Sequence, residues 1–180
     1  IRLYSEGRRN EDAFKIIRRN NRIPEMIEAD LDSEMQAILM GARRMQELFQ
    51  RFGTETVESC FQTILDKCRD IFRNELLPKI PDGEYPWEDF VEHDGLNDPR
   101  LHRLALKMTK RDGRIRLDFN GTAPQSEGPI NWPADYADGA FLVKWIAPVL
   151  RNLADSPERA AEIHVNEGVC EIFDVVFPPK

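Results

Sequence analysis

A long series of apolar residues at helical spacing constrains the first half of the chain. The series recurs at intervals of four and three residues, through Ile27, Leu31, Met35, Ile38, Ala42, Met45, Phe49 and Phe52. Because an α-helix completes a turn in about 3.6 residues, this spacing places all of these side chains on one helix face. Gly53 is a suitable C-terminal stop, so the pattern predicts one helix over residues 27–52.

A second apolar stripe follows Gly53 and predicts another helix over residues 54–77. Its members are Val57, Phe61, Ile64, Cys68, Ile71 and Phe72, and Pro78 ends it. Two amphipathic helices joined by a single Gly-Thr step are expected to pack as an antiparallel αα-hairpin. With a short helix that Asn10 is expected to cap, these elements form a predicted helical region over residues 1–83.

The pattern changes after Gly83, and residues 84–180 are predicted to form an α+β region. Apolar and polar residues alternate over 101–119, and the Asp-Gly pair at 112–113 predicts a β-hairpin there. Another strand is expected over residues 84–92, at a sheet edge because it contains Pro86. Since helices and strands are segregated along the chain, the predicted fold class is α+β with a mostly antiparallel sheet.

Three further segments complete the predicted region. The polar loop 120–133 follows the hairpin and is stiffened by proline and glycine. A helix is predicted over residues 135–153, with Asp135 as its N-cap. The last segment, 169–177, is mostly apolar and predicts a strand in a central position of the sheet.

Composition excludes several classes of function. The chain is 41% hydrophobic and 32% charged, which is ordinary for a globular protein. A net charge of -7 argues against binding to nucleic acid, which needs a basic face. No apolar run approaches the roughly 18 residues of a membrane span, so no membrane partner is expected. The three cysteines form no CxxC pair, which favours reduced thiols and a cytoplasmic location.

Common catalytic motifs are absent from the sequence. There is no GxxxxGK[ST] and no GxGxxG, so no nucleotide cofactor site is expected within this chain. The histidines, His93, His102 and His164, lack metal-ligand spacing, and no intrinsic metal site is expected. Ser126 has no GxSxG context, which gives no support for a serine nucleophile.

Two polar turns remain as candidate functional positions. Asn120, Thr122 and Asn131 belong to the loop after the hairpin, and Asn166 and Glu167 belong to a later turn. Amide and hydroxyl groups can donate to a developing enolate or carboxylate oxygen without titrating. Glu167 could orient a base or a metal ligand. The alternative is structural, because Asn and Gly in turns often serve the turn itself.

Three motifs make the chain recognisable. DFNGTAPQSEGPIN resembles the D-F-x-G-T-x-P-Q-x-x-G-P-I-N pattern of the hydantoinase B/oxoprolinase family. RLYSEGRRNED is similar to that family's K-L-Y-x-x-G-x-x-N-E-D segment, and VNEGVCEIFDVVFPP to its N-E-G turn and following strand. The segment IPEMIEADLDSEMQAILMGARRMQELFQRFG is most similar to the acetone carboxylase α-subunit branch.

The resemblance implies an internal portion of an ATP-dependent, metal-containing, hetero-oligomeric carboxylase in the cytoplasm. Such an enzyme is expected to convert acetone and bicarbonate to acetoacetate with other carboxylase subunits as partners. ATP with Mg is handled by a separate subunit, and a transition metal such as Mn is bound by a His and Asp cluster. That cluster belongs upstream of the segment that residues 1–12 resemble, so no metal ligand is assigned to this chain.

Two alternatives stay open at the level of sequence. The first is a subunit of an N-methylhydantoinase or oxoprolinase-type enzyme, which hydrolyses cyclic amides. The second is a non-catalytic assembly module whose apolar helical hairpin docks partner subunits. The polar loop favours a catalytic enzyme, whereas the long apolar stripe favours the assembly module.

Overall fold

A computed structural model describes residues 1–96, 100–132, 134 and 139–178. The chain divides into two compact units, Ile1–Ser59 and Cys60–Lys180. Within the described ranges, no helix is long and apolar enough to cross a membrane.

The first unit begins with a small hairpin and a short helix. Strands β1 (Tyr4–Ser5) and β2 (Arg8–Arg9) pair around a tight turn, and helix α1 spans Glu11–Arg19. The Asn10 side chain accepts a hydrogen bond from the N–H of Ala13, which confirms the predicted N-cap.

Helix α2 (Pro24–Phe52) forms most of the rest of the first unit and confirms the predicted long helix. It begins at Pro24, whose missing N–H costs nothing in the first turn, and it ends at Gly53 with φ of 79°. The next helix, α3, spans Thr54–Ile71. The packing of α2 and α3 as an antiparallel hairpin stays a prediction.

Helical structure in the second unit departs from simple α-helices at several points. After α3, one π-helical turn (Phe72–Leu76) and one 3₁₀ turn (Leu77–Lys79) carry the chain to the sheet. Helix α4 spans Ala140–Leu150, a 3₁₀ turn covers Arg151–Leu153, and helix α5 spans Pro157–Glu162. The predicted helix over 135–153 is therefore present from residue 140, whereas its predicted cap at Asp135 lies outside the described residues.

A four-stranded sheet confirms the α+β fold class. Its strands are β3 (Gly83–Val91), β4 (His102–Arg111), β5 (Arg114–Asp118) and β6 (Phe173–Val176), arranged in that order. The first three are antiparallel, and β6 runs parallel to β5. The predicted hairpin is confirmed, since Asp112 (φ 51°) and Gly113 (φ 69°) form its two-residue turn.

The predicted C-terminal strand over 169–177 was wrong in extent and in position. Residues Glu167–Ile172 form a 3₁₀ helix, and only Phe173–Val176 pair as a strand, at the edge of the sheet. Val169 and Ile172 are apolar because the 3₁₀ segment buries them in the core, not because strands flank them. A short apolar run has the same composition in either structure, so periodicity alone did not separate them.

The core of the second unit lies between one face of the sheet and the surrounding helices. Ile115 and Leu117 of β5 are buried there, whereas Arg114 and Arg116 lie on the opposite, exposed face. The helical side contributes Phe72, Leu76, Leu77, Val143, Ala147, Ile163, Val169 and Ile172. The sheet thus has one apolar face and one solvated face, as an antiparallel sheet in an α+β fold requires.

We expect Gly168→Ala to destabilise the second unit. A Cβ at residue 168 would lie 2.0 Å from the backbone oxygen of Leu65, and that backbone has little room to move. The free energy of unfolding in urea should fall by about 1–3 kcal/mol. The matched control is Gly41→Ala, since no atom of the described residues lies within 4 Å of a Cβ there. That change should raise stability by about 0.5–1 kcal/mol, and equal effects of the two changes would contradict the packing argument.

Candidate functional site

The described part of the polar loop, residues 120–132, leaves the sheet at the end where β3 stops, β4 starts and β5 stops. In its first part, a side chain extends the hydrogen bonding of the sheet along β4. The Thr122 hydroxyl accepts a hydrogen bond from the N–H of Ala105 and donates one to its carbonyl oxygen, both at 3.1 Å. The N–H of Ala123 then donates to the carbonyl of Arg103. β5 ends at Asp118, opposite Lys107 of β4. The Thr122 side chain therefore forms the hydrogen bonds to Ala105 that the backbone of a longer β5 would form.

Asp94 anchors the middle of the polar loop. Its side chain is 2% exposed, and it accepts hydrogen bonds from the hydroxyl of Ser126 at 2.7 Å and from the N–H of Leu96 at 3.0 Å. These two donors, with the Ser126 hydroxyl first, hold the pKa of Asp94 below its ordinary value. The loop also approaches closely at Gly128, where a Cβ would lie 2.0 Å from the Asp94 carbonyl oxygen.

His102 approaches the same carboxylate oxygen as Ser126. Its Nε2 is 3.4 Å from Oδ2 of Asp94, is buried, and makes no hydrogen bond to any described residue. The Ser126 hydroxyl and the His102 imidazole thus both face Oδ2 of Asp94, and the hydroxyl donates to the carboxylate rather than to the imidazole. A catalytic triad needs the imidazole between the other two, so this arrangement does not activate Ser126 as a nucleophile. It fixes the position of the loop.

Asn131 closes the loop on itself. Its Oδ1 accepts a hydrogen bond from the N–H of Ser126 at 2.9 Å, and its Nδ2 donates to the carbonyls of Ser126 (2.6 Å) and Gly128 (3.2 Å). Asn120 differs, because its backbone N–H bonds to Asp118 while the residue stays exposed. Asn120 and Asn131 are both exposed, but the side chain of Asn120 makes no hydrogen bond to any described residue.

Trp132 follows Asn131 and belongs to an exposed group of rings. Its indole is 57% exposed, so Trp132 is not a buried anchor. The ring packs edge-to-face against Phe141 (centroids 5.8 Å apart) and Trp145 (6.3 Å), and the ammonium of Lys144 lies 5.6 Å from the Phe141 ring. The polar loop is thus bordered by an accessible aromatic surface.

The second predicted turn lies at the opposite end of the sheet. Asn166 accepts a hydrogen bond from the N–H of Gly168 at 2.9 Å and donates from Nδ2 to the carbonyl of Ile64 at 3.2 Å, which fastens the turn to α3. Glu167 is exposed. Burial raises the pKa of the nearby Cys170 thiol, in keeping with an unreactive structural cysteine. The predicted turns are therefore not brought together, because the length of β5 separates them.

The structure gives most of the predicted polar side chains a bond to the protein's own backbone. This holds for Thr122, Asn131 and Asn166, which shape their turns, while Asn120 and Glu167 remain open to solvent. Catalytic roles for all five stay predictions. The sequence does not reveal Asp94 as the anchor of the loop, because there it is an ordinary residue of a polar connection and only its burial shows its role.

The described residues do not fit a metal centre by themselves. They contain no group of three or more His, Cys, Asp or Glu side chains arranged to hold an ion. Asp94 and His102 supply only two ligands, and the carboxylate already accepts bonds from Ser126 and Leu96. No step of the proposed chemistry is therefore routed through a metal on these residues.

We expect Ser126→Ala to loosen the polar loop. The change removes a donor to a buried carboxylate and leaves the N–H of Gly128 without its acceptor. A hydrogen bond to a charged group contributes about 1.5–3 kcal/mol, so the free energy of unfolding should fall by that amount. Ser33→Ala, which alters an exposed serine on α2, is the control and should change stability by less than about 0.5 kcal/mol. Equal losses would show that Asp94 does not need this donor.

Acid should weaken the second unit through Asp94. Because folding lowers its pKa, the stabilisation from the ionised carboxylate is fully present above the ordinary Asp pKa of about 3.9 and is lost as pH falls through the folded-state value. Urea unfolding measured between pH 7 and pH 2 should therefore show a steeper loss for the native chain than for Asp94→Asn. If the free energy of unfolding fell equally with pH in both proteins, the stabilising role of the ionised Asp94 carboxylate would be contradicted.

Comparison with known proteins identifies the family of this chain. The family model for hydantoinase B/oxoprolinase matches residues 1–180. A protein of Pseudomonas sp. (strain NS671), named as a subunit of a D-/L-hydantoinase, is 31% identical over 137 residues, which cover 74% of this chain and 23% of that protein. The beta subunit of a caprolactamase from Pseudomonas jessenii is 30% identical over 95 residues, covering 53% of this chain and 16% of that protein.

A third relative is named as part of a carboxylase. The acetophenone carboxylase delta subunit of Aromatoleum aromaticum (strain DSM 19018 / LMG 30748 / EbN1) is 27% identical over 110 residues, covering 61% of this chain and 16% of that protein. The chain spans less than a third of the length of the curated relatives it matches. Because the family model covers all 180 residues, the chain belongs to the hydantoinase B/oxoprolinase family.

Proposed function

We propose that this chain is part of the α subunit of an ATP-dependent acetone carboxylase, a cytoplasmic enzyme that forms acetoacetate from acetone and bicarbonate. One observation carries the site assignment. The polar loop is held rigid by Asp94 and Asn131, yet it leaves the Asn120 amide and the Trp132 ring accessible. A neutral amide donor and an exposed aromatic ring on the same loop suit a small ketone whose oxygen becomes negative during reaction.

The remaining chemistry would take place in other parts of the enzyme. ATP with Mg would bind a partner subunit and phosphorylate the enol and bicarbonate, and a transition metal such as Mn would bind outside this chain. Within this chain, Asn120 would donate to the developing oxyanion and Trp132 would shield one side of the ketone from water. The named subunits among the relatives support a multi-subunit enzyme, and the acetophenone carboxylase relative supports carboxylation.

A second candidate is a subunit of an enzyme that hydrolyses cyclic amides. The hydantoinase and caprolactamase subunits among the relatives favour it. The same loop would serve this reaction, because attack on a cyclic amide also generates an oxyanion.

Assays of the full-length protein with its co-expressed partner subunits separate the candidates. Acetoacetate formed from acetone, bicarbonate and ATP supports the carboxylase. Ring opening of hydantoin supports the hydrolase and overturns the carboxylase. An intact complex that catalyses neither reaction would instead favour the non-catalytic assembly module.

We expect Asn120→Ala in that complex to lower kcat by about 100-fold or more, since removal of one oxyanion donor has this effect. The melting temperature should stay unchanged, because the residue is exposed. Asn131→Ala should lower both kcat and the melting temperature, because its side chain closes the loop. Asn152→Ala, at an exposed position whose side chain makes no hydrogen bond to any described residue, is the control. Unchanged turnover of the Asn120 variant in an assembled complex would contradict the proposed hydrogen bond from Asn120 to the oxyanion.

A further inference from the structure

His102 leaves a polar atom unsatisfied inside the second unit. Its side chain is 12% exposed, and its buried Nε2 lies 3.4 Å from Oδ2 of Asp94 without a hydrogen bond to any described residue. A buried polar atom without a partner is costly and rare in a folded protein. A shift of about 0.5 Å would bring the two atoms to ordinary hydrogen-bond distance. The partner that His102 lacks is therefore within reach.

The charge of His102 decides whether this bond forms. A neutral imidazole carries a proton on one of its two nitrogens, whereas an imidazolium carries one on each and is attracted to a carboxylate. Oδ2 of Asp94 can accept from a second donor beside the Ser126 hydroxyl. Histidine changes charge between about pH 5 and 8. Asp94 is ionised throughout that range, because its pKa is lowered from an ordinary value that is already more acidic.

The other charged groups around His102 leave Asp94 as its partner. Arg100 helps to lower the pKa of Asp94, and its positive charge opposes a second one on His102. Asp89 of β3 belongs to the next cross-strand pair on the same face of the sheet, and its carboxylate accepts a bond from the N–H of the following residue. Glu127 of the polar loop is exposed and forms no ion pair with a described residue. Among the described residues, Asp94 supplies the carboxylate that lies within 4 Å of a His102 nitrogen.

His93 responds to acid in the opposite direction. Its Nδ1 accepts a hydrogen bond from the N–H of Gly95 at 2.7 Å. A ring nitrogen that accepts a bond carries no proton, so proton uptake by His93 would break this bond. Acid should therefore loosen the turn at Gly95 through His93 and strengthen the bonding of Asp94 through His102.

We propose that protonation of His102 controls how tightly the polar loop is held. As pH falls, the ring takes up a proton and donates to Asp94, which in turn accepts from Ser126 of the loop. The folded state gains this bond only when His102 is charged, so the stabilisation is present at low pH and is lost as pH rises and the ring loses its proton. The inference does not depend on which reaction the loop serves.

Hydrogen exchange of the full-length protein tests this control, because exchange reports local opening. The parent protein carries His93→Asn, whose amide oxygen can accept from Gly95 and does not titrate. We follow peptides that contain residues 94–96 and 126–128 between about pH 8 and 5.5, with rates corrected for the intrinsic pH dependence of exchange. Exchange should slow about tenfold as pH falls, as expected for a hydrogen bond to a charged group.

Two further variants identify the histidine responsible. Adding His102→Gln should abolish the change with pH, because glutamine keeps an N–H donor but does not titrate. Adding His164→Gln, at an exposed histidine, is the matched control and should leave the change intact. Melting curves show whether each variant is folded.

A second measurement needs no substitution at position 102. In the His93→Asn protein with carbon-13-labelled histidine, the His102 ring should titrate over the same pH range in which exchange slows. Exchange that does not change with pH, a change that persists in the His102→Gln variant, or titration of His102 outside that range would each overturn the proposal. Both readouts are independent of turnover, so they decide it whether or not the protein proves to be a carboxylase.

Discussion

The buried carboxylate of Asp94 is the interaction on which the candidate site depends. A carboxylate removed from water must recover the hydrogen bonds it loses, and here the Ser126 hydroxyl and the Leu96 N–H supply them. The bond from Ser126 ties the connection before β4 to the loop after β5, two segments far apart in sequence. Gly128 allows the approach, since any side chain there would strike the Asp94 backbone. The buried carboxylate therefore fixes the middle of the loop, while Thr122 and Asn131 hold its two ends.

The polar loop contains residues that hold its backbone in place and residues that remain accessible to solvent. Thr122 completes the hydrogen bonding of β4, and Asn131 closes the loop, so both contribute to a fixed backbone. Asn120 and Trp132 remain accessible on that backbone. Under the proposed function, this fixed backbone would carry the Asn120 amide that donates to the developing oxyanion.

Much of the fold was predictable because it depends on local patterns. The α2 stripe, the Asn10 cap and the Asp-Gly turn each act within a few residues, and each appears as expected. The last strand was misjudged, since Val169 and Ile172 are buried by a 3₁₀ helix rather than by neighbouring strands. Of the candidate site, the sequence identified the polar loop, but not the side chain that anchors it.

By itself the sequence determined the order of the elements, the α+β class and the motifs of the hydantoinase B/oxoprolinase family, because periodicity, turn chemistry and motif spacing are local properties. The tertiary structure alone decided which polar groups are used internally and which face solvent. Asp94 is buried and bonded to a loop that follows β5, and Trp87 is exposed on β3 at the edge of the sheet. Burial and exposure arise from contacts between distant segments, and no local pattern encodes them.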